Sequence, residues 1–229
     1  HMATMMKKLR KGCSRMQWGF SCAVLISLIF NCPGFAQEQQ IKIGLNYPVT
    51  GPYSVQGLDQ LRAAQLAAGE INAGGGILGR KIELVLRDSK SEAETTIANV
   101  SNLIDKEGVK MVFGGAASNV ALAAGRICQE KKILFFGTLT YSTATTGVNA
   151  SRHTFRECYN AWMGAKAVGA YLKKYYPAKT KKYFYITADY TWGHTTEASM
   201  RHFSLTEDTT RHKGIKTPFP NATEKDLRK

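Results

Sequence analysis

Two spacings of apolar residues alternate along this chain, one near two residues and one near 3.6. "IKIGLNYP" (Ile41 to Pro48) has strand composition and ends in a turn, "VTGPYSVQG". From Leu58 to Asn72, Leu58, Leu61, Ala64, Ala68 and Ile71 recur at helical spacing with polar residues between them, which predicts a helix. "KIELVLRD" (Lys81 to Asp88) alternates apolar and polar residues over strand length, with Ile82, Leu84 and Leu86 on one side. Ser91 to Glu107 is expected as a helix, with Ser91 as N-cap and Glu94 three residues on in the capping-box pattern. "VKMVFGG" follows as a short buried strand. Asn119 to Lys131 is expected as a helix carrying Val120, Ala123, Ala124, Ile127 and Cys128, and "ILFFG" as the next strand. Strand and helix alternating at this interval predict an α/β fold, a parallel sheet wrapped by helices.

Residues 138–158 are rich in Thr and Ser and then extended, as expected of a surface loop leading to a crossover. The pattern resumes with a helix over Tyr159 to Tyr176, ended by Pro177. "KKYFYITAD" is the next strand, Thr195 to Phe203 a short helix, and "HKGIKTPFP" a strand start. The expected organisation is an N-terminal α/β lobe over 37–158 and an incomplete second α/β lobe over 159–229. A β-α-β unit of this size buries little core of its own.

"INAGGGILGR" (Ile71 to Arg80) carries Gly74, Gly76 and Gly79 in the G-x-G-x-x-G spacing of dinucleotide sites. That fingerprint requires a strand before it and a helix after, because the pyrophosphate rests on the helix's free N–H groups. Here the order is reversed. The glycines are therefore expected to end a helix and make a tight return, and no dinucleotide or other cofactor is expected.

The leading residues modify this picture. His1-Met2 reads as a cloning remnant. Lys7, Lys8, Arg10, Lys11 and Arg15 form a basic region, Trp18 to Phe30 an apolar one, and Gly34-Phe35-Ala36 a small-residue cleavage site. This is the pattern of a secretory signal cleaved after Ala36. The apolar run is shorter than the ~20 residues a membrane span requires, so the mature chain is expected to have no span. Cys32 as a lipid anchor fits poorly after Phe30-Asn31. Removing the five basic residues of the leader lowers the net charge from +14 to +9. That excess is moderate and lies toward the C-terminus, without the dense basic stripe that tracks phosphates, so no nucleic acid is expected. Of five cysteines, Cys128 and Cys158 remain after cleavage. Export permits a disulfide between them, though Cys128 on an apolar helix side fits a buried thiol.

Catalytic patterns are missing. His153, His194, His202 and His212 accompany no G-x-S-x-G elbow and no H-E-x-x-H pair. His194 and Glu197 stand three apart, a spacing that suits a metal but is commoner on a solvated helix face. No catalytic residue and no metal site is expected.

In parallel α/β sheets, ligands sit beyond the carboxyl ends of the strands. The loops there are "NYPVTGPYSVQG", "GGAASN", "GTLTYSTATTG" and "TADYTWGH". Together with "AGEINAGGGILGRKIEL", "RDSKSEA" and "TFR", in this order and spacing, they resemble the solute-binding proteins of ABC importers, of the leucine/isoleucine/valine- or amide-binding type. The resemblance runs from about Ile41 to the end. It implies a periplasmic-binding-protein type I fold of two α/β lobes closing on a small solute, in the periplasm, for delivery to the importer's membrane permease. A sensory ligand-binding module is the alternative it leaves open, as is a truncated chain lacking full binding activity.

The resemblance also implies roles. Ser118 matches the serine whose hydroxyl and neighbouring amides take the ligand's carboxylate or carbonyl. It precedes a helix, whose free N–H groups would face the crevice, although it could also merely cap that helix. Leu139 and Tyr141 match positions offering main-chain groups, Tyr53 a residue lining the pocket wall, and Trp192 an aromatic that the second lobe presses onto the ligand. Tyr190 would support that loop. Amino-acid binders carry an aspartate between Arg156 and Gly164 for the α-ammonium. Here Asn160 stands nearest, with Glu157 as a possible substitute. A buried ammonium needs a charged partner, so an amide, urea-like or other carboxylate solute becomes plausible. Relatives of this kind continue for roughly as much chain again.

Overall fold

A computed structural model describes residues 40–228. The signal segment and cleavage site expected over 1–36 lie outside the described residues. Five strands form one parallel sheet: β1 (Ile41–Tyr47), β2 (Ile82–Asp88), β3 (Met111–Gly114), β4 (Leu134–Gly137) and β5 (Thr154–Arg156), in spatial order β2-β1-β3-β4-β5. The connecting helices are α1 (Ser54–Ala73), α2 (Ala93–Asp105) and α3 (Ser118–Glu130). A second, two-stranded parallel sheet pairs β6 (Phe184–Ala188) with β7 (Lys213–Thr217). It carries α4 (Ala161–Tyr175), α5 (Thr191–Ser204) and the single turn α6 (Glu224–Leu227).

Strand alternation sends side chains to two faces. On one face Val85, Val112 and Phe135 meet Val100, Leu103, Ala121, Ala124, Ile127 and Cys128 of α2 and α3, which form the core cluster. Cys128 is fully buried and, like Cys158, a free thiol; burial pushes its pKa up to about 12. On the other face α1 lies over Ile43, Leu45, Ile82 and Leu84, with alanines at 63, 64, 67 and 68 around an apolar hollow of about 320 Å³. That cover stops short of β4 and β5. Phe113, Phe136 and Phe155 stack across three strands at 4.8 and 5.5 Å, and Phe155 is 47% exposed. In the second sheet Phe184 and Ile186 are likewise exposed, because α5 covers only the Tyr185 and Thr187 side.

α1 starts at Ser54, four residues earlier than its apolar period predicts, and includes Gly57. A Cβ on Gly57 would stand 1.9 Å from the Pro48 carbonyl oxygen, so only glycine lets this turn seat against the end of β1. α5 repeats the arrangement. It starts at Thr191, and a Cβ on Gly193 would stand 1.9 Å from the Ala188 oxygen. The glycines after α1 do end the helix: Gly74 is its C-cap, and Gly75, Gly76 and Gly79 have positive φ in a return closed by an Ile77–Arg80 bridge.

Two expectations fail. Ser91 does not cap α2. It has φ 63°, Glu92 is the N-cap, and the Glu92 side chain accepts no capping bond from the helix N–H groups. The 138–158 segment is largely not a surface loop: Thr140, Ser142 and Thr145 are buried, and a 3₁₀ turn spans Thr143–Thr146. Its hydroxyls are satisfied locally, Thr140 with Thr145 at 2.7 Å and Ser142 with the Ala144 N–H at 3.2 Å, which removes the cost of burying them.

The loop after β1 is tied to the end of β2 by Asp88, whose carboxylate accepts from the Val49, Thr50 and Lys90 N–H groups and the Thr50 hydroxyl. Burial raises the Asp88 pKa, but those hydrogen bonds outweigh it and leave the carboxyl below its ordinary 3.8. A carboxylate depressed on folding contributes stability that is complete above the unfolded value and disappears as pH falls through the folded one. Asp88→Asn is therefore expected to flatten the loss of stability below about pH 4, as read by urea midpoints between pH 5 and pH 2.5. An unchanged acid slope would rule out this role.

Candidate functional site

Strand order β2-β1-β3-β4-β5 reverses direction between β1 and β3, and in such sheets ligands bind outside the strand ends at that switch point. Tyr53 follows β1 there and Ser118 follows β3. Ser118 is the first helical residue of α3. Its N-cap is Ala117, which has no side chain to cap with, so the reading of Ser118 as a cap is wrong. Instead its hydroxyl accepts from the Ser142 N–H at 3.1 Å. The Ser142 hydroxyl in turn meets the Thr191 hydroxyl at 3.0 Å and accepts from the Thr195 hydroxyl at 3.3 Å. A polar chain thus runs from the N-terminus of α3, through the segment after β4, to the first turns of α5. The Asn119 amide oxygen, one residue on from Ser118, is buried without a hydrogen-bond partner.

A second bridge is aromatic. The Tyr53 and Tyr190 hydroxyls are 3.0 Å apart, and Phe219, just beyond β7, stacks on both rings at 5.7 and 3.9 Å. Trp192 stands 6.0 Å from Tyr190. It belongs to the first turn of α5 and not to a loop. Burial first, then the bond and proximity to the Tyr53 hydroxyl, push the Tyr190 pKa up, so the Tyr190 phenol stays neutral and can donate. Tyr141 stacks on Tyr159 at 4.6 Å; its pKa is also raised, by burial and then by Cys158 and Tyr159.

Of the sequence-derived candidates, Tyr53 and Trp192 join the aromatic bridge and Ser118 the polar one. Leu139 is half-buried in the segment after β4. Of the main-chain groups that Tyr141 is expected to offer, the carbonyl accepts from the Ala161 N–H at 2.7 Å. Asn160 is the N-cap of α4, its Oδ1 accepting from the Met163 N–H at 2.9 Å. His194 and Glu197 turn to different partners, His194 to Asp189 at 2.7 Å and Glu197 to Arg201 and Thr187. Among the described residues no group of three His, Cys, Asp or Glu could hold a metal, and no helix is long and apolar enough to cross a membrane.

Sequence reasoning missed Ser142, Phe219 and Arg156. Arg156 donates from Nη1 to the Ser142 carbonyl at 3.3 Å and has no carboxylate partner among the described residues. Its position on β5 supplied the signal: alternation puts Thr154 and Arg156 on the α3 side and Phe155 and Glu157 on the other. Glu157 acts on Tyr47, whose pKa burial and then this charge raise to about 12.

A parallel sheet in this order, whose switch point meets a second sheet through loops, defines a type I bilobal binding fold. The chain belongs to the periplasmic binding protein family, which matches residues 40–218. A Leu/Ile/Val-binding protein homolog 1 of Brucella abortus is 36% identical over 94 residues, 41% of this chain and 25% of that protein. A branched-chain amino acid transporter substrate-binding protein of Streptococcus pneumoniae, solved with isoleucine, superposes with TM-score 0.65 at 25% identity, over 78% of this chain and 49% of that one. A solute-binding protein of an ABC transporter from Rhodopseudomonas palustris, solved with 3,4-dihydroxybenzoic acid, has the same fold at TM-score 0.69 and 22% identity, over 81% and 49%. The chain thus spans about half the length of these solved relatives.

Proposed function

We propose that this chain captures a small carboxylate- or carbonyl-bearing solute between its two sheets and, exported to the periplasm, presents it to the membrane permease of an ABC importer. One observation carries the reading. Residues of both sheets converge at the topological switch point, where Ser118, Ser142 and Thr191 form one polar bridge and Tyr53 and Tyr190 another. The free N–H groups at the start of α3 favour a carboxylate or carbonyl oxygen, while the unpartnered Asn119 oxygen is an acceptor that only a donor on the solute would meet. A solute gripped from both sides shifts an open-to-closed equilibrium, and the closed form is what a permease would read. The neighbours' isoleucine and dihydroxybenzoic acid both carry a carboxylate.

The test is thermal unfolding of the full chain with leucine, acetamide, urea and benzoate. A solute held at ~100 times its Kd adds about 2.7 kcal/mol, or roughly 5–10 °C for a chain of this size. At least one of the four is expected to raise the melting temperature by that amount. A melt that none of them moves rejects the reading.

A further inference from the structure

Resting on that reading, we propose that the solute is an aromatic carboxylate without an α-ammonium group. The crevice offers a guanidinium to a negative charge, whereas for a positive one the unpartnered Asn119 oxygen is a neutral acceptor and no substitute for a carboxylate. Arg156 is half-buried and on the same side of β5 as α3. It spends one of its donors on the Ser142 carbonyl and pairs with no carboxylate among the described residues. A guanidinium has five N–H donors, so its fork has room for a carboxylate next to the Ser118–Ser142 chain.

Two of the three acidic groups nearby are otherwise engaged, and the third lies across the strand. Asp88 holds four donors of its own loops, Asp189 binds His194, and Glu157 projects from the opposite side of β5 toward Tyr47. Asn160, at the position where an ammonium partner is sought, turns its oxygen to the N-terminus of α4. An ammonium enclosed here would lack a counter-charge, which excludes it more strongly than a missing contact would.

The remaining surface is aromatic. Tyr53, Phe219 and Tyr190 stack in sequence, Trp192 flanks them, and Tyr141 and Tyr159 form a second stack. Ring faces of this kind favour a planar partner by offset stacking over a branched aliphatic one. Tyr53 and Tyr190 provide hydroxyls at the edge of the first stack.

Titration calorimetry of the full chain with benzoate, leucine and 4-methylpentanoate separates the possibilities. 4-Methylpentanoate is leucine's carbon skeleton without the amine. Benzoate is expected to bind at least tenfold more tightly than 4-methylpentanoate, and leucine not at all. Leucine binding as tightly as benzoate overturns the inference while leaving solute capture intact. Equal binding of benzoate and 4-methylpentanoate overturns the aromatic part. If none of the three binds but acetamide or urea raises the melt, the carboxylate class is overturned alone; if nothing does either, both readings fall. Arg156→Gln is expected to weaken benzoate at least tenfold. Phe219→Leu is expected to narrow the gap between benzoate and 4-methylpentanoate, and it remains informative if the arginine variant does not fold. Benzoate affinity unchanged in both variants overturns the assignment.

Discussion

Phe135→Ala is expected to lower the stability of the chain by about 3–5 kcal/mol, a large share of the roughly 5–15 kcal/mol that a domain possesses. Phe135 is the largest fully buried side chain among the described residues and lies within β4, where it joins Val112 of the neighbouring strand and Ile127 and Cys128 of α3 in one cluster. Truncation removes its transfer free energy and leaves a void, because β3 and β5 fix β4 on either side and the sheet cannot close over the gap. The melting temperature should fall by roughly 10 °C. Phe155→Ala one strand away makes the contrast. That ring is 47% exposed, and its loss should cost less than half as much. Equal losses for the two would mean that the bare face of the sheet is covered in solution.

Arg201→Met is the second large effect. Arg201 holds the second sheet's unit together from α5. Nε donates to Glu197 at 2.7 Å, Nη1 to the Thr206 and His212 carbonyls at 3.1 and 2.8 Å, and the guanidinium lies 4.1 Å from the centre of the Tyr185 ring. Methionine keeps the volume but leaves a carboxylate and two carbonyls without their donor. Breaking a pair of this kind costs about 3 kcal/mol, the lower end of the range for buried pairs, because the Glu197 side chain keeps 20% of its exposure. Glu197 itself sits below its ordinary pKa. Burial raises it, but the Thr187 and Arg201 bonds and the charges of Arg201 and Lys216 prevail. Lys131→Met, which breaks the more exposed pair with Asp105, should cost no more than about 1 kcal/mol. A loss below 1 kcal/mol in Arg201→Met, read by urea denaturation, would show that the network does not hold the unit.

The strand–helix alternation was legible because each element carries its own period, as with Ile82, Leu84 and Leu86 on one side of β2. What was not legible follows from contacts between distant residues. Two of the helices that border the crevice, α1 and α5, start earlier than their apolar periods predict, and for one reason. Glycine lowers helix propensity, so Gly57 and Gly193 look like breakers, yet each is there because a carbonyl occupies the space of its missing Cβ. The Thr- and Ser-rich stretch read as surface because polar residues usually are. Only the fold shows Thr140 meeting Thr145, or Ser142 meeting Thr191 across 49 residues. Ser118, Tyr53 and Trp192 could be singled out from loops at strand ends. Ser142 and Phe219 could not, since their significance lies in partners contributed by other elements, and for Arg156 alternation gave only its side of β5, not its bond to Ser142.

The uncovered sides of the two sheets have a thermal consequence. Phe155, Phe184 and Ile186 are already hydrated in the folded chain, so unfolding brings less new apolar surface into water than the length suggests. The heat-capacity increment, which apolar exposure dominates, should therefore fall below the ~12–15 cal/mol/K per residue of fully covered domains. A smaller increment gives a flatter dependence of stability on temperature. Such a chain should lose stability less steeply on both cooling and warming than a fully covered domain of its length.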